Sequence, residues 1–171
     1  MRIIIANIIG ILAVIMFVLS YQFKTRKKII FFNGGSRVLY VLQYLLLFAF
    51  EGAVMDVVAL IVTAFAHQRD NKFFSKHKSL LIIGSNLFVV AIGLLFYKNL
   101  LSLLPIFGVL FETGALWLKN EKYIRILSVF GAPFWFAYNL CVGAYGSLIG
   151  NVMTMVSLGV AIYRYDIKKE N

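Results

Sequence analysis

Long apolar runs, broken by short basic clusters, set the rhythm of this chain. The first run covers Ile3–Phe23, the second roughly Phe31–Phe50 and the third Ala53–Ala66. After the polar segment HQRDNKFFSKHK come a fourth at Ser79–Tyr97, a fifth at Leu100–Leu118, a sixth at Tyr123–Ala144 and a seventh at Ser147–Tyr163. Runs close to the ~20 residues that cross ~30 Å of hydrocarbon predict membrane-spanning helices. The first is long for a signal sequence and lacks a small-x-small cleavage site. It ends in KTRKK (Lys24–Lys28), a stop-transfer pattern, so it reads as a helix that stays.

One cut is not visible in hydropathy. The stretch Val38–Ala66 is nearly unbroken, and its 29 residues (38 to 66) would make a helix of about 44 Å, too long for one ordinary crossing. Charge supplies the cut. With turns near Glu51–Gly52 and near Tyr145–Ser147, the segments Lys24–Arg37, Arg69–Lys78, Lys119–Arg125 and Arg164–Lys169 fall on one side. They hold all but Arg2 and Lys98 of the 17 Lys and Arg residues. Removing either turn scatters the basic clusters over both faces, against the positive-inside rule. The expectation is an all-α membrane protein with seven transmembrane helices, N-terminus out and C-terminus in.

Composition agrees and changes the meaning of the charge. Hydrophobic residues make up 61% of the 171 and charged ones 14%; mean hydropathy is +0.87. A water-soluble domain carries about 25% charged residues. A net charge of +10 would suggest nucleic acid in a soluble domain. Between apolar runs, the same charges act as topology signals and contacts for anionic lipids at the inner face. Nucleic acid is therefore not an expected partner. The single cysteine, Cys141, excludes an internal disulfide. His67 and His77 have no acidic or thiol partners at ligand spacing, so neither a metal site nor a cofactor is expected.

An offset of 95 residues brings the two ends of the chain into register. Lys24 and Lys27 fall on Lys119 and Lys122, Ala49 on Ala144, Phe50 on Tyr145, Val57 on Val152, Ala66 on Ala161, and Arg69 on Arg164. One offset superposes three spans, both turns and both basic loops, the signature of an internal duplication. The predicted layout is 3+1+3. Residues 1–70 form a first three-helix unit, 71–98 a loop and linker helix, and 99–171 a second unit in the same orientation. Whether copies of the chain form a homo-oligomer is left open by the sequence.

The same offset pairs Tyr40 with Trp135, and Asp56 with Asn151. Counted from the predicted turns, each aromatic lies ten residues deep and each polar residue six, about 15 Å and 9 Å along a helix. Each unit thus offers a flat ring and a hydrogen-bonding group near mid-bilayer, where repeat transporters place their substrate site. Gln43 and Asn139, on the second helix of each unit, are further candidates for that cavity, or else glue between helices. Asp56 and Glu112 are carboxylates inside apolar runs, at ~2.5–3.5 kcal/mol each on insertion scales. They are candidates for a proton or cation site, against the plainer reading of buried hydrogen bonds. Pro105 is expected to bend the fifth helix as a hinge, while Pro133 reads as a first-turn residue of the sixth.

The segments LLPIFGVLFETGALWL (Leu103–Leu118), IRIL (Ile124–Leu127) and FWFAYNLCVGAYGSLIGN (Phe134–Asn151) resemble bacterial inner membrane proteins of the YgjV family. SYQFKTRKK (Ser20–Lys28) and YLLLFAFEGAVMD (Tyr44–Asp56) extend the likeness through the first half. More distantly, the layout is similar to SWEET-type sugar facilitators and nicotinamide-riboside-type transporters. That resemblance implies a central pocket with an aromatic and an asparagine from each unit, matched in the second unit by Trp135 and Asn151. Asp56 departs from the pattern in the first unit, and the first helix has no proline to match Pro105.

The expected function is a membrane transporter or facilitator for a small polar solute, sugar-, nucleoside- or vitamin-like, working by alternating access between the two units. The alternative is a non-transporting receptor or accessory subunit on the same scaffold. An enzyme is not expected: Asp56 and Glu112 could pair, but nothing positions a nucleophile.

Overall fold

The computed structural model describes residues 1–20, 26–66, 68, 71, 76–118 and 121–168. His67 and, from the predicted basic segments, Lys24, Arg69, Lys72, Lys119 and Lys169 lie outside the described residues. Among those described there are seven long α-helices and no strand: α1 Arg2–Ser20, α2 Arg26–Leu46, α3 Phe50–Ala66, α4 Lys78–Leu95, α5 Leu103–Leu116, α6 Glu121–Val142 and α7 Tyr145–Ile162. A 3-10 turn, Leu100–Ser102, leads into α5, and a π-helical turn, Tyr163–Ile167, follows α7. Four of the helices, α1, α4, α6 and α7, are long and apolar enough to cross a membrane unaided. The others fall short for identifiable reasons: α2 carries four basic residues, and α3 and α5 have only 17 and 14 residues.

Both turns between adjacent helices occur where the charge pattern requires a reversal, two to three residues earlier than expected. Phe48 (φ 58°) and Gly143 (φ 71°) adopt the left-handed conformation, which ends α2 and α6 because the helical hydrogen-bond ladder cannot pass through it. In each turn the next residue's N–H reaches back to a carbonyl five residues earlier: Ala49 to Tyr44 and Ala144 to Asn139, both at 2.9 Å. This is the Schellman closure, and glycine supplies it at Gly143 without the strain that Phe48 accepts. Glu51 therefore sits inside the first turn of α3, where a carboxylate favours the positive end of the helix dipole. Its partner is Lys98, at 3.4 Å.

The helices pack in a ring, α1–α2–α3–α5–α6–α7 and back to α1, with α4 lying against α3 and α5. At the α1–α7 seam, Gly146 rides on the backbone of α1, and a Cβ there would stand 2.5 Å from the Asn7 carbonyl oxygen. Burial follows the pattern of a lipid-facing bundle. On α7, Ile149, Val152, Val156 and Val160 are exposed while Ser147 and Gly150 are buried inside the ring. Leu80, Ile83, Leu87 and Leu94 likewise give α4 an exposed apolar face. The dry core, with Met55, Val58, Val62, Val89, Ile106 and Val109, lies where α3, α4 and α5 meet.

The two prolines stand at other helix positions than expected. Pro105 is the third residue of α5 and fully buried, in the first turn, where a missing N–H costs nothing. Pro133 stands well inside α6, where it removes the N–H that would bond the Val129 carbonyl. The sixth helix starts earlier than its apolar run because Glu121 and Lys122 are helical.

Candidate functional site

A cavity of about 420 Å³ lies within the ring, and all six ring helices reach it. Its wall includes Phe17 of α1, Arg37, Tyr40 and Tyr44 of α2, Asp56 of α3, Glu112 of α5, Trp135 and Asn139 of α6, and Asn151 of α7. The volume falls in the ~300–1,000 Å³ range of small-molecule pockets. Five of the six residues predicted to bind solute come together here: Tyr40, Asp56, Trp135, Asn139 and Asn151. Glu112, proposed for a proton or cation, joins them.

Gln43 does not. It is fully buried, and its amide oxygen accepts a short hydrogen bond from the Ser147 hydroxyl. On a helix, Tyr40 and Tyr44 share one face at i and i+4, and Gln43 is rotated off it toward α1 and α7. Pro105 is likewise absent from the wall.

At the centre stands an ion triad that the sequence did not reveal. Arg37 donates from Nη1 to Asp56 Oδ1 at 3.0 Å and from Nη2 to Glu112 Oε1 at 3.0 Å, drawing three helices together. The charge pattern places Arg37 at the basic inner face. The structure corrects this: α2 begins at Arg26 and continues through Gly34–Gly35, so Arg37 lies at mid-helix and is buried. The Gly35 backbone is covered by Met16 of α1, and such packing holds a glycine pair helical against its propensity. Asp56 has no basic neighbour on its own helix; its cation comes from α2.

Beside the triad runs an uncharged polar chain. The Tyr44 hydroxyl donates to Asn139 Oδ1 at 2.7 Å, and Asn139 Nδ2 donates to Asn151 Oδ1 at 2.6 Å. The Tyr44 ring stacks on Trp135 (6.2 Å, 16° between planes), which meets Tyr138 edge-on. Trp135 fits because α5 presents Gly108, where a Cβ would lie 2.7 Å from the indole Nε1. Toward the turns, the Tyr138 hydroxyl accepts from the Gly52 N–H at 2.9 Å and so caps the first turn of α3 from another helix. Asn7 performs a similar task for α7, accepting from the Gly146 N–H at 3.0 Å.

At the opposite end, Arg125 lines the cavity and grips Asp166 with two bonds, Nε to Oδ2 at 2.9 Å and Nη2 to Oδ1 at 2.6 Å. Those hydrogen bonds hold the Asp166 carboxyl below the usual carboxylate range.

The missed residues left unequal traces. Tyr44 was legible, since the 95-residue offset sets it on Asn139. Arg37 was not, because a cation bordering an apolar run looks like a flank. Compared with known families, residues 4–169 match Imp-YgjV, described as bacterial inner membrane protein. No curated protein and no solved structure matches the chain.

Proposed function

The chain belongs to this family of bacterial inner membrane proteins, and from that premise we propose that it is a small-solute transporter. Its two three-helix units, α1–α3 and α5–α7 with α4 as linker, alternate access to the central cavity. The observation that carries this reading is a ring-walled cavity reached by all six of these helices, with ionic and amide groups held inside an otherwise apolar bundle. Intramembrane ionisable side chains are expensive and mark solute or ion pathways by default.

Several contacts support a duplicated, two-fold arrangement. The two left-handed residues, Phe48 and Gly143, and the two turn closures stand 95 positions apart. Tyr44 bonds Asn139, its own counterpart. The pairs Gln43–Ser147 and Tyr138–Gly52 exchange with one another under the same offset. These cross-links join α2 and α3 to α6 and α7 near the turns, and they are the contacts that part when the cavity opens to that side. With the positive-inside rule, the turns face outward and Arg125 inward.

The test is uptake by proteoliposomes containing the full chain, screened with labelled sugars, nucleosides and vitamins. At least one solute is expected to enter faster than into protein-free vesicles, and Asn139→Leu is expected to abolish entry. Absence of entry for every class would favour a receptor or accessory subunit.

A further inference from the structure

The charge of the solute can be inferred from the triad, given that the cavity is a solute site. Two carboxylates face one guanidinium, so the formal sum is −1. The three are not equally enclosed. The Arg37 and Asp56 side chains are 9% and 6% exposed, a closed neutral pair; Glu112 is 35% exposed. Arg37 holds one Glu112 oxygen, and the unmatched negative charge thus belongs to the carboxylate that the cavity reaches.

A second observation points to a guest. Arg37 Nε is buried and has no protein hydrogen-bond partner, and neither has the Thr63 hydroxyl, two turns along α3 from Asp56; both residues line the cavity. Buried donors are almost always satisfied, so a guest with an acceptor oxygen fits here. The third feature is placement. Glu112 is four residues beyond Gly108, the point where the Trp135 ring meets α5. The carboxylate therefore stands on the same helix face as that contact, about one turn or ~6 Å along. A cation held by Glu112 thus lies about one helical turn from the Trp135 indole, which also lines the cavity.

We propose that the cavity selects a small organic monocation bearing a flat ring and an acceptor oxygen. Glu112 supplies the selecting charge, and the Asp56–Arg37 pair positions it. An anion meets an uncompensated carboxylate in a low-dielectric setting, where like charges repel strongly. A neutral solute leaves the charge unmatched.

Three probes of one shape separate charge from size: 2-amino-1-phenylethanol, 1-phenylethane-1,2-diol and mandelate. Each has the same ring and benzylic hydroxyl, and at pH 7.5 they carry +1, 0 and −1. Calorimetric titration of the purified full chain in mild detergent is expected to give the amine at least a tenfold lower Kd than the diol, with no heat from mandelate. Glu112→Gln removes the preference, and Glu112→Asp, which keeps the charge, retains it. Equal affinity for amine and diol overturns the proposal. So does tighter binding of mandelate, a preference indifferent to Glu112→Gln, or no binding by any probe. Because this is an equilibrium measurement, a cation preference without vesicle flux would defeat transport and leave the charge assignment standing.

Discussion

Replacing Arg37 with methionine tests the triad as a structural unit. The substitution keeps most of the side-chain volume and removes both 3.0 Å donors. Asp56 then remains buried without a cation, and Glu112 loses the bond that ties α5 to α2. Removing one partner of a buried ion pair destabilises by about 3–5 kcal/mol, because the remaining charge stays desolvated. At 1.4 kcal/mol per factor of ten, the folded-to-unfolded ratio falls roughly a hundred- to a few thousand-fold. The triple variant Arg37→Met/Asp56→Leu/Glu112→Met removes the desolvation cost together with the attraction. It is expected to equal or exceed the parent, by up to about 4 kcal/mol, while losing all solute recognition. Equilibrium unfolding in a mixed-micelle denaturant titration, followed by helical circular dichroism, measures both. A single variant within about 1 kcal/mol of the parent, or a triple variant as unstable as the single, would refute the reasoning.

Tyr138→Phe leaves the buried Gly52 N–H uncapped and is expected to cost about 1–3 kcal/mol in the same titration; an unchanged midpoint would mean that water takes over the cap. Gly108→Ala drives a Cβ to 2.7 Å from Trp135 Nε1, so it is expected to cost about 1–3 kcal/mol and to shift tryptophan emission. A change of emission without loss of stability would mean that the ring has room to move. The Asp166 carboxyl sits below its unfolded value, so the stability it adds is fully present above the ordinary range near ~3.9 and is lost as pH falls through the lowered value. Thermal midpoints of the parent and Asp166→Asn are expected to differ at pH 7 and to converge on acidification; parallel curves would contradict this.

The spans were legible because a bilayer demands long apolar runs, and the reversal inside Val38–Ala66 because basic residues avoid one face. Its position was off by a few residues, since no composition signal marks a left-handed Phe48. The offset that aligned Asp56 with Asn151 also held the Tyr44–Asn139 pair, but a tyrosine in an apolar run reads as core. Arg37 was hidden because a cation at the border of an apolar run counts as a flanking charge. The helix runs on through Gly34–Gly35, with Met16 of α1 and Leu60 of α3 against the pair, and carries the guanidinium inward to Asp56. Gln43 bonds Ser147 between helices and does not face the cavity, because a single residue of helical phase is about 100° of rotation.

The central claim is that the cavity opens to each side of the membrane in turn. It is tested most directly by placing a single cysteine at Asn151 in a Cys141→Ser background, in right-side-out and inside-out vesicles. A membrane-impermeant maleimide is expected to label Asn151→Cys from both faces, and a bound cation to slow both reactions. Labelling from one face only, or from neither, would contradict the account.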